Sequence, residues 1–485
     1  MSGGPATIRA KRSALPVVLC AAVLATLLPP QVEARSEGPA ERRTRRPSVV
    51  VIVADDMRWD EAGVKTALRE RFPPGYLPTI RGALVDKGFT ARNAFVVNSL
   101  CCPSRASILT GNYSHTTRVW NNQNQLGRGG FVSFKRHEDS TMATWFHRAG
   151  YRTAFVGKYM NGYNATSHVP RGWDRWVAFD ASTVGYYDYR LTVNGSIRSY
   201  GSSPSHYSTD VLADHATGFI SSTPATKPLF LMFAPYTPHA PFTPAPRHAS
   251  LFGSYVPKMP PNFGERNLSD KPSWLRSRPA GAARWALKKR DQMRMLMALD
   301  EAVAGILDSL RAEGRLRDAI IVFMSDNGLS GGSHRWVTKK SAWDEAIRIP
   351  LIVRGPGIPH GIRGKQLMLN IDVAETLGKL AGVRMPRTDG RSLVRQLRGA
   401  SQPVRKLFAI ERLVDTGRPP SYCAVRSRRY KYIRYANGEQ ELYDLRKDPW
   451  EMSSRHRSKA HASIEARLRR RAKAICSPPP PGYRF

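Results

Sequence analysis

The segment 48–54, in which Ser48 is followed by an uninterrupted run of apolar, mostly β-branched residues, limits most strongly what this chain can fold into. A strand that is apolar on both faces must be covered on both faces, which is typical of a parallel sheet between two layers of helices. Shorter apolar runs of the same kind recur at 153–156, 228–234, 319–325 and 349–353. The predicted fold is therefore α/β, with a large mixed, mostly parallel sheet sandwiched by helices.

Segments with helical patterns alternate with these strands. The stretch 236–290 interrupts this alternation, and its content of proline, arginine and serine predicts a long surface excursion. The predicted helices cover residues 78–87, 103–110, 142–149, 210–220 and 291–312.

The sequence changes character after residue 386. Residues 422–435 alternate aromatic, aliphatic and basic side chains, the pair Asn437-Gly438 is typical of a hairpin turn, and 441–445 resumes a strand. A basic helix is predicted at 462–474. These signals predict a smaller C-terminal α+β subdomain with an antiparallel sheet.

The amino-terminal segment has the pattern of an export signal. Three basic residues precede an apolar run at 14–28, and small residues at 32–34 offer a cleavage site. The run is short for a membrane span, so we expect a secreted protein, with an uncleaved anchor as the alternative. No later stretch is apolar enough to cross a bilayer, and stable membrane insertion is not expected.

The predicted organisation has four parts. They are a secretory signal peptide at 1–34, a polar charged linker at 35–46, a main domain at 47–386 and a smaller C-terminal subdomain at 387–485.

The chain is strongly basic, because 75 lysines and arginines face 38 aspartates and glutamates and give a net charge of +37. Such a surface can bind nucleic acid, an anionic membrane or a polyanionic substrate. No zinc-finger or RNP-type motif accompanies the charge, so a nucleic-acid partner is not expected. The hydrophobic fraction of 41% excludes a wholly disordered chain.

Five cysteines are too few for a disulfide scaffold in 485 residues. Cys423 and Cys476 could pair in an oxidising compartment. Cys101 and Cys102 are adjacent and need a different explanation, since neighbouring cysteines bridge only with strain.

The segment 100–111 places Cys101 just before a predicted helix, since Pro103 suits the first helical turn. Free amides at that end favour an anion, and Arg105, about one turn further on, can pair with tetrahedral oxyanions. A nucleophile beside an anion clamp suits attack on sulfate or phosphate. A thiol enzyme or a structural cysteine at a helix cap fits the same residues.

Polar side chains follow two of the buried strands. Asp55 and Asp56 come directly after the first strand, and Asp326 and Asn327 follow the strand at 319–325. Sites in parallel α/β sheets form at the carboxyl ends of strands, so this placement is the first indication of function.

The string Cys101-x-Pro103-Ser104-Arg105, followed by Leu109-Thr110-Gly111, resembles the signature of the type I, formylglycine-dependent sulfatases of the alkaline phosphatase superfamily. The resemblance covers roughly residue 48 to the end and implies an alkaline phosphatase/sulfatase-like fold with a catalytic domain at 47–386. It also implies that a formylglycine-generating enzyme oxidises Cys101 to formylglycine (3-oxoalanine), whose hydrated aldehyde is the nucleophile.

The same resemblance implies a metal site. Asp55, Asp56, Asp326 and Asn327 resemble the family's metal ligands, with the modified Cys101 beside them. Oxygen ligands suit a hard divalent cation, Ca²⁺ or alternatively Mg²⁺.

Three further residues are assigned by resemblance. Lys158 closes the string Gly150-Tyr-Arg-Thr-Ala-Phe-Val-Gly-Lys158, which is similar to the family's second signature, and is directed at the sulfate and the nucleophile. His239 lies in Thr-Pro-His-Ala-Pro, the segment that places a histidine near the leaving oxygen. Lys339 has the spacing of a sulfate-binding lysine, with Lys340 as its rival.

One departure from the family pattern concerns the residue after Lys158-Tyr159. Many sulfatases have histidine where this chain has Met160, and the Lys-Tyr-aliphatic-Asn form resembles the branch containing N-acetylglucosamine-6-sulfatase and the extracellular heparan sulfatases. Another group must then remove the hemiacetal proton. His115 and His334, which would also contact substrate, are both candidates.

The expected activity is hydrolysis of sulfate esters, with sulfated sugars or glycosaminoglycans favoured by the basic charge and the branch resemblance. One alternative is a phosphonate monoester or phosphodiester hydrolase of the same superfamily. The others are a cysteine hydrolase and a non-catalytic protein that binds polyanionic glycans.

Overall fold

A computed structural model of the chain describes residues 46–62, 72–123, 129–276, 283–414 and 417–485, together with residues 1, 3 and 4. Nearly all of the predicted signal peptide and of the predicted linker lies outside the described residues. Residues Arg46–Phe485 form one compact unit. The predicted boundary after residue 386 stays a prediction.

Strands and helices are interspersed along the described chain, and four consecutive strands precede the last described α-helix. Their bounds are β1 Val49–Ala54, β2 Phe89–Ala91, β3 Ala94–Phe95, β4 Arg152–Gly157, β5 Arg175–Phe179, β6 Tyr189–Val193, β7 Ser196–Tyr200, β8 Leu229–Ala234, β9 Ile320–Ser325, β10 Leu351–Arg354, β11 Ile362–Gly364, β12 Met368–Leu369, β13 Leu407–Arg412, β14 Tyr422–Ser427, β15 Tyr430–Tyr435 and β16 Gln440–Asp444.

Helices of very different lengths connect them. The described α-helices are α1 Cys101–Thr110, α2 Ser114–Thr117, α3 Gly130–Phe134, α4 Met142–Arg148, α5 Ser208–Ser221, α6 Ser273–Arg276, α7 Ala283–Ala312, α8 Asp344–Ile347, α9 Asp372–Ala381, α10 Val394–Leu397 and α11 Ala462–Ile475. A π-helix covers Ile80–Val85, and short 3₁₀ turns cover Lys135–His137, Pro204–His206, Pro246–His248 and Lys459–His461.

Ten of the described strands form one sheet in the order β11-β2-β10-β9-β1-β8-β4-β5-β6-β7. Its five central strands, β9, β1, β8, β4 and β5, are parallel, whereas β10, β6 and β7 pair antiparallel with their neighbours. The predicted fold, a large mixed and mostly parallel sheet between helices, is confirmed.

Strand β1 shows why the central strands are apolar on both sides. Val49, Val51 and Val53 pack in one core cluster with residues of α1, α4 and α9, while Val50 and Ile52 pack in a second cluster with residues of α5 and α7. Alternate side chains of a strand point to opposite faces, so a strand between two helical layers has no polar face.

Two regions differ from the sequence-based expectation. Strands β5, β6 and β7 were not predicted. Of these, β7 lies at the sheet edge and its side chains are mostly exposed, which removes the apolar pattern that marks a buried strand. Helix α7 begins at Ala283 rather than at 291, so the predicted surface excursion ends in the first turns of that helix.

The last four strands form a separate antiparallel sheet in the order β13-β14-β15-β16. One of its faces, including Phe408 and Tyr422, belongs to the core of the large sheet, and the other packs against Leu468 and Ala472 of α11. Cys423 and Cys476 are joined by a disulfide, which ties β14 to the end of α11. None of the described helices is both long and apolar enough to cross a membrane.

Candidate active site

The carboxyl ends of the two central strands bring acidic side chains together. Ala54, the last residue of β1, is in register with Ser325, the last residue of β9. The residues that follow lie side by side, because the Asp326 amide donates to the Ala54 carbonyl at 3.0 Å and the Asp56 amide donates to Asp326 Oδ1 at 3.1 Å. Asp56 has a left-handed φ of 66°, a conformation that costs energy and is concentrated at functional sites.

The oxygen-rich group at this edge fits a hard cation. Ligand atoms of Asp55, Asp56, Cys101 and His239 lie within 4.8 Å of one another. Asn327 donates from Nδ2 to Asp56 Oδ1 at 2.6 Å, while its Oδ1 is buried and has no hydrogen-bond partner among the described residues. A buried oxygen without a donor beside carboxylates is the arrangement that a divalent cation would complete.

Cys101 is the first residue of helix α1 rather than the residue before it. The helix starts two positions earlier than predicted because Leu100 is extended and serves as the N-cap, and it ends at Gly111, whose φ of 71° favours glycine. The Cys101 thiol therefore stands at the helix amino terminus, 3.7 Å from Asp55 Oδ1. The partial positive charge at that end favours an anion on this residue.

Lys158 reaches the site from the end of β4. Gly157, with φ of 134°, precedes it, and a Cβ there would lie 2.0 Å from the Ala234 carbonyl of β8, so only glycine allows the two strands to approach this closely. The Lys158 ammonium forms a short ion pair with Asp55 and lies 3.6 Å from Cys101 Sγ.

Lys339 approaches from the opposite side, on the loop between β9 and α8. Its Nζ lies 2.8 Å from Cys101 Sγ and pairs with Asp56 Oδ1. The structure therefore brings Lys339 to the cysteine, while the backbone of its neighbour Lys340 donates to the Ser99 carbonyl and accepts from the Tyr422 hydroxyl.

Arg105 is fully buried and holds the acidic groups in place. Its Nε donates to Asp326 Oδ2 at 2.9 Å, one Nη is 3.5 Å from Asp55 Oδ2, and the other donates to the Lys158 carbonyl. Burial raises the pKa of Asp326 to about 6, the charge of Asp55 adds to this rise and Arg105 opposes it. The described partners of Arg105 are thus two carboxylates and a carbonyl. Because these belong to three different segments of the chain, Arg105 links the three segments.

The Cys101 thiol is a weak acid in this setting. Burial raises its pKa to about 11, although the ammonium groups of Lys158 and Lys339 partly oppose the shift. At neutral pH the unmodified side chain is therefore a neutral thiol, which is a poor nucleophile.

His239 faces the same group of carboxylates. Its Nε2 lies 3.5 Å from Asp56 Oδ2, its ring stacks on Tyr236, and its Nδ1 pairs with the Ala240 carbonyl. Since a carbonyl only accepts, Nδ1 carries the proton and Nε2 points its lone pair at the site. Burial lowers the pKa of His239 to about 4 despite the nearby Asp56 and Asp55, so the free imidazole is neutral at pH 7.

The other two predicted histidines are engaged elsewhere. His115 Nδ1 pairs with Glu411 at 2.6 Å, and the fully buried His334 pairs through Nδ1 with Glu265 at 2.5 Å and through Nε2 with Asn262 at 3.0 Å. Among the described residues, neither imidazole forms a hydrogen bond with Cys101. Their assignment as the base that replaces the histidine expected at Met160 stays a prediction.

Two contributors to the site were not identified from the sequence. Tyr236 lies under Lys158, with Nζ 5.2 Å from its ring centre, and Cys102 Sγ accepts a hydrogen bond from the Asn161 amide at 2.9 Å. Tyr236 stands three residues before His239, yet a lone tyrosine after a buried strand is not distinguishable from a core residue. In the sequence, the adjacency of Cys102 to Cys101 was the only indication that Cys102 lies close to the site.

Solved structures that share this α/β fold include enzymes. One is in complex with its substrate D-glucosamine-2-N,6-O-disulfate, with a TM-score of 0.73 and 23% identity, and the match covers 89% of this chain and 98% of that one. Another is the phosphonate monoester hydrolase of Agrobacterium radiobacter, with a TM-score of 0.69, 18% identity and coverage of 89% and 96%. These likenesses show that the chain shares the overall fold of these structures.

The sequence comparisons then give the family. The Sulfatase family model matches residues 47–383, and the model for N-sulphoglucosamine sulphohydrolase, C-terminal, matches residues 332–477. This chain belongs to the sulfatase family, as the motif around Cys101 predicted. N-acetylglucosamine-6-sulfatase of Capra hircus is 34% identical over 379 residues, which cover 75% of this chain and 65% of that protein. The chain therefore spans less than two thirds of this relative's length.

Proposed function

We propose that this protein is an exported sulfuric ester hydrolase that releases sulfate from sulfated sugars or glycosaminoglycans. The observation that carries the proposal is the buried group at the carboxyl edge of β1 and β9, where Cys101 is surrounded by carboxylates and by two ammonium groups. A sulfate ester is a tetrahedral anion, and such a site supplies both a position for the reacting atom and cations for its oxygens.

Asp55, Asp56, Asp326 and Asn327 would hold the divalent cation, Ca²⁺ or Mg²⁺. The unpartnered Asn327 oxygen and the three carboxylates support this set. When bound, the cation would offset negative charge and make a neighbouring hydroxyl more acidic. Arg105 would keep Asp55 and Asp326 oriented through its charged hydrogen bonds.

Cys101 would act after conversion to formylglycine by a formylglycine-generating enzyme. The raised pKa of the thiol argues against a plain cysteine hydrolase, because little thiolate exists at neutral pH. The hydrated aldehyde would supply a hydroxyl nucleophile for sulfur and a second hydroxyl from which loss of a proton expels sulfate. The helix amino terminus at Cys101 would stabilise negative charge on that oxygen.

Lys158 and Lys339 would neutralise the sulfuryl oxygens in the transition state, since both ammonium groups already lie against the Cys101 side chain. His239 would contact the leaving oxygen through Nε2. To donate a proton there, the imidazole must first be protonated, which the carboxylates of Asp56 and Asp55 favour.

A sugar ester is the proposed substrate because N-acetylglucosamine-6-sulfatase from goat is similar over 75% of this chain, and because a structural neighbour contains a glucosamine disulfate substrate. The likeness to the phosphonate monoester hydrolase makes that reaction the second candidate.

The test is to express the full chain with a formylglycine-generating enzyme and to measure free sulfate from a panel of sulfated saccharides that includes N-acetylglucosamine 6-sulfate. A phosphonate monoester and a phosphate diester are assayed in parallel. We expect sulfate release that EDTA removes and Ca²⁺ or Mg²⁺ restores, and mass spectrometry of the Cys101 peptide should show the aldehyde. Faster turnover of the phosphonate than of every sulfate ester would favour the second candidate.

A further inference from the structure

Helix α11 carries a dense row of cations on its outer face. Leu468 and Ala472 are buried against the antiparallel sheet, and the rest of the helix is mostly exposed. Its exposed basic residues are Arg467, Arg469, Arg470, Arg471 and Lys473. At a rise of about 1.5 Å per residue, these five charges lie within about 9 Å of helix length.

The described carboxylates leave these cations uncompensated. Among the described residues, none of the five forms an ion pair with a carboxylate, whereas the helix's one acidic residue, Glu465, is already paired with His456 at 2.9 Å. Repulsion between adjacent like charges costs folding free energy, and a bound polyanion would relieve it.

The helix is held firmly in place. Its buried face packs on β14 and β15, and the disulfide between Cys423 and Cys476 fixes its carboxyl end. A helix held in this way presents its basic side chains from fixed backbone positions, and guanidinium pairs well with planar or tetrahedral oxyanions.

Grooves lead from this helix towards the active-site loop. A groove of about 370 Å³ between the first turns of α11 and residues 456–459 includes Arg457, Lys459 and Arg469. His456 and Arg457 also line a neighbouring groove of about 520 Å³. Asp270 and Ser454 line both this second groove and a third groove of about 610 Å³. The wall of the third groove also includes residues 263–267.

The third groove borders the loop that carries Lys339. Phe263 forms a β-bridge with Ser333, and the His334 amide donates to the Asn262 carbonyl at 2.7 Å. Both contacts join the groove wall to residues 333–334, a few positions before Lys339. An extended chain lying in these grooves would therefore run from the basic helix towards the segment that carries Lys339.

We propose that the basic face of α11 is an exosite for a sulfated polysaccharide, which holds the polymer while the Cys101 site removes a sulfate from it. The choice of this partner rests on the proposed function. An anionic membrane is less suited, because the apolar side of α11 is buried and none of the described exposed large hydrophobic residues lies on this helix. A single-stranded nucleic acid would use aromatic stacking surfaces, and α11 contains no aromatic residue.

The test compares how strongly the full-length wild type, an α11 variant and a control variant are retained on immobilised heparin. The variant Arg469→Gln/Arg470→Gln/Lys473→Gln removes three exposed cations on the side of α11 that faces the first groove, and it should elute at clearly lower NaCl than the wild type and bind heparin about tenfold or more weakly. The matched control, Arg198→Gln/Arg363→Gln/Arg384→Gln, removes the same charge from exposed positions outside α11 and should elute close to the wild type. Equal losses in both variants, or no loss in the first, would overturn the exosite.

Kinetics separate this inference from the proposed function. Turnover of a sulfated monosaccharide should be the same in the wild type and the α11 variant, while KM for a sulfated polymer should rise about tenfold. If no substrate releases sulfate but heparin retention still depends on α11, the proposed activity fails and the binding surface stands. Tighter α11-dependent binding to DNA or to phosphatidylserine vesicles than to heparin would overturn the choice of partner.

Discussion

The carboxyl edge of the parallel strands and the C-terminal antiparallel sheet use charge in opposite ways. At the strand edge, Lys158 and Lys339 are 6% and 8% exposed and are paired with carboxylates next to Cys101. On α11, the arginines are exposed and have no described carboxylate partner. Buried charges must be paired to be tolerated, and this pairing fixes their positions to the precision that chemistry needs. Exposed charges remain available to a partner.

The two regions are nevertheless in contact. Tyr422 of β14 is fully buried, and its hydroxyl lies 3.5 Å from Ser99 Oγ and 3.3 Å from the Lys340 carbonyl. Ser99 and Lys340 are close neighbours in sequence of Cys101 and Lys339, and the Lys340 amide donates to the Ser99 carbonyl at 3.1 Å. One face of the antiparallel sheet thus supports the active-site segments, and the other face carries the basic helix.

The largest effect is expected from Cys101→Ala, which removes the residue that bears the nucleophile. We expect kcat for a sulfate ester to fall by about a thousandfold or more while the fold is retained. Cys102→Ala is the matched control, because it removes a buried thiol one position away and should leave turnover within about tenfold of the wild type. Similar activity losses in both variants would contradict the assignment of Cys101.

A smaller loss is expected for the cations of the strand edge. Lys339→Ala should lower kcat by about a hundredfold or more, because it removes a charge that contacts the reacting residue. Lys340→Ala is the control at the neighbouring position and should change kcat by less than about threefold. Steady-state kinetics on one small sulfate ester measure kcat for both variants. A larger loss of kcat in Lys340→Ala than in Lys339→Ala would assign the sulfate-binding role to Lys340.

Changes confined to the far face of the antiparallel sheet should affect stability rather than chemistry. Cys423→Ala/Cys476→Ala opens a link across a sequence separation of 53 residues and should lower the free energy of unfolding by about 2–5 kcal/mol. Calorimetry or a thermal shift assay measures the change, and kcat on a small ester below the melting temperature should stay within about twofold. A large loss of kcat would show that the face of the antiparallel sheet that packs on α11 also affects the active site.

The contact between the regions is tested by Tyr422→Phe, which removes one hydroxyl from the buried face. We expect kcat to fall about two- to fivefold, since one hydrogen bond that supports Ser99 and Lys340 is lost. Tyr432→Phe is the control, because its hydroxyl bonds Gln440 and its ring packs on the α11 side of the same sheet. Equal losses of kcat in the two variants would show that the Tyr422 hydroxyl does not position the active-site segments.

The smallest effect concerns the pH dependence of stability at the pair of His115 with Glu411 of β13. Burial lowers the pKa of His115, but the hydrogen bond and charge of Glu411 outweigh it and raise the pKa above 6.5. When the pKa of a histidine is higher in the folded protein than in the unfolded chain, the histidine contributes its full stabilisation at pH values below its unfolded-state pKa. This contribution is lost as the pH rises through the folded-state pKa. His115→Gln should therefore lower the melting temperature more at about pH 6 than at about pH 9. A larger loss at the higher pH would contradict this pairing.

Much of the fold and of the candidate site could be predicted from sequence, because local patterns encode it directly. The apolar run of β1 required covering layers on both faces, and Asp55 and Asp326 were placed at one edge because parallel strands end there together. The edge strand β7 escaped prediction because an exposed strand lacks that pattern. Tyr236 and Tyr422 escaped because their roles depend on contacts with residues distant in sequence.

By itself, the sequence determined the layered α/β architecture, the family and the residues at which chemistry is expected, because strand periodicity and the Cys101 motif are short-range properties. Only the tertiary structure decided that Arg105 binds Asp326 and Asp55, that Lys339 reaches the cysteine, and that the cations of α11 stay exposed. Those outcomes depend on which distant segments pack together, and packing is a property of the whole fold rather than of any local pattern.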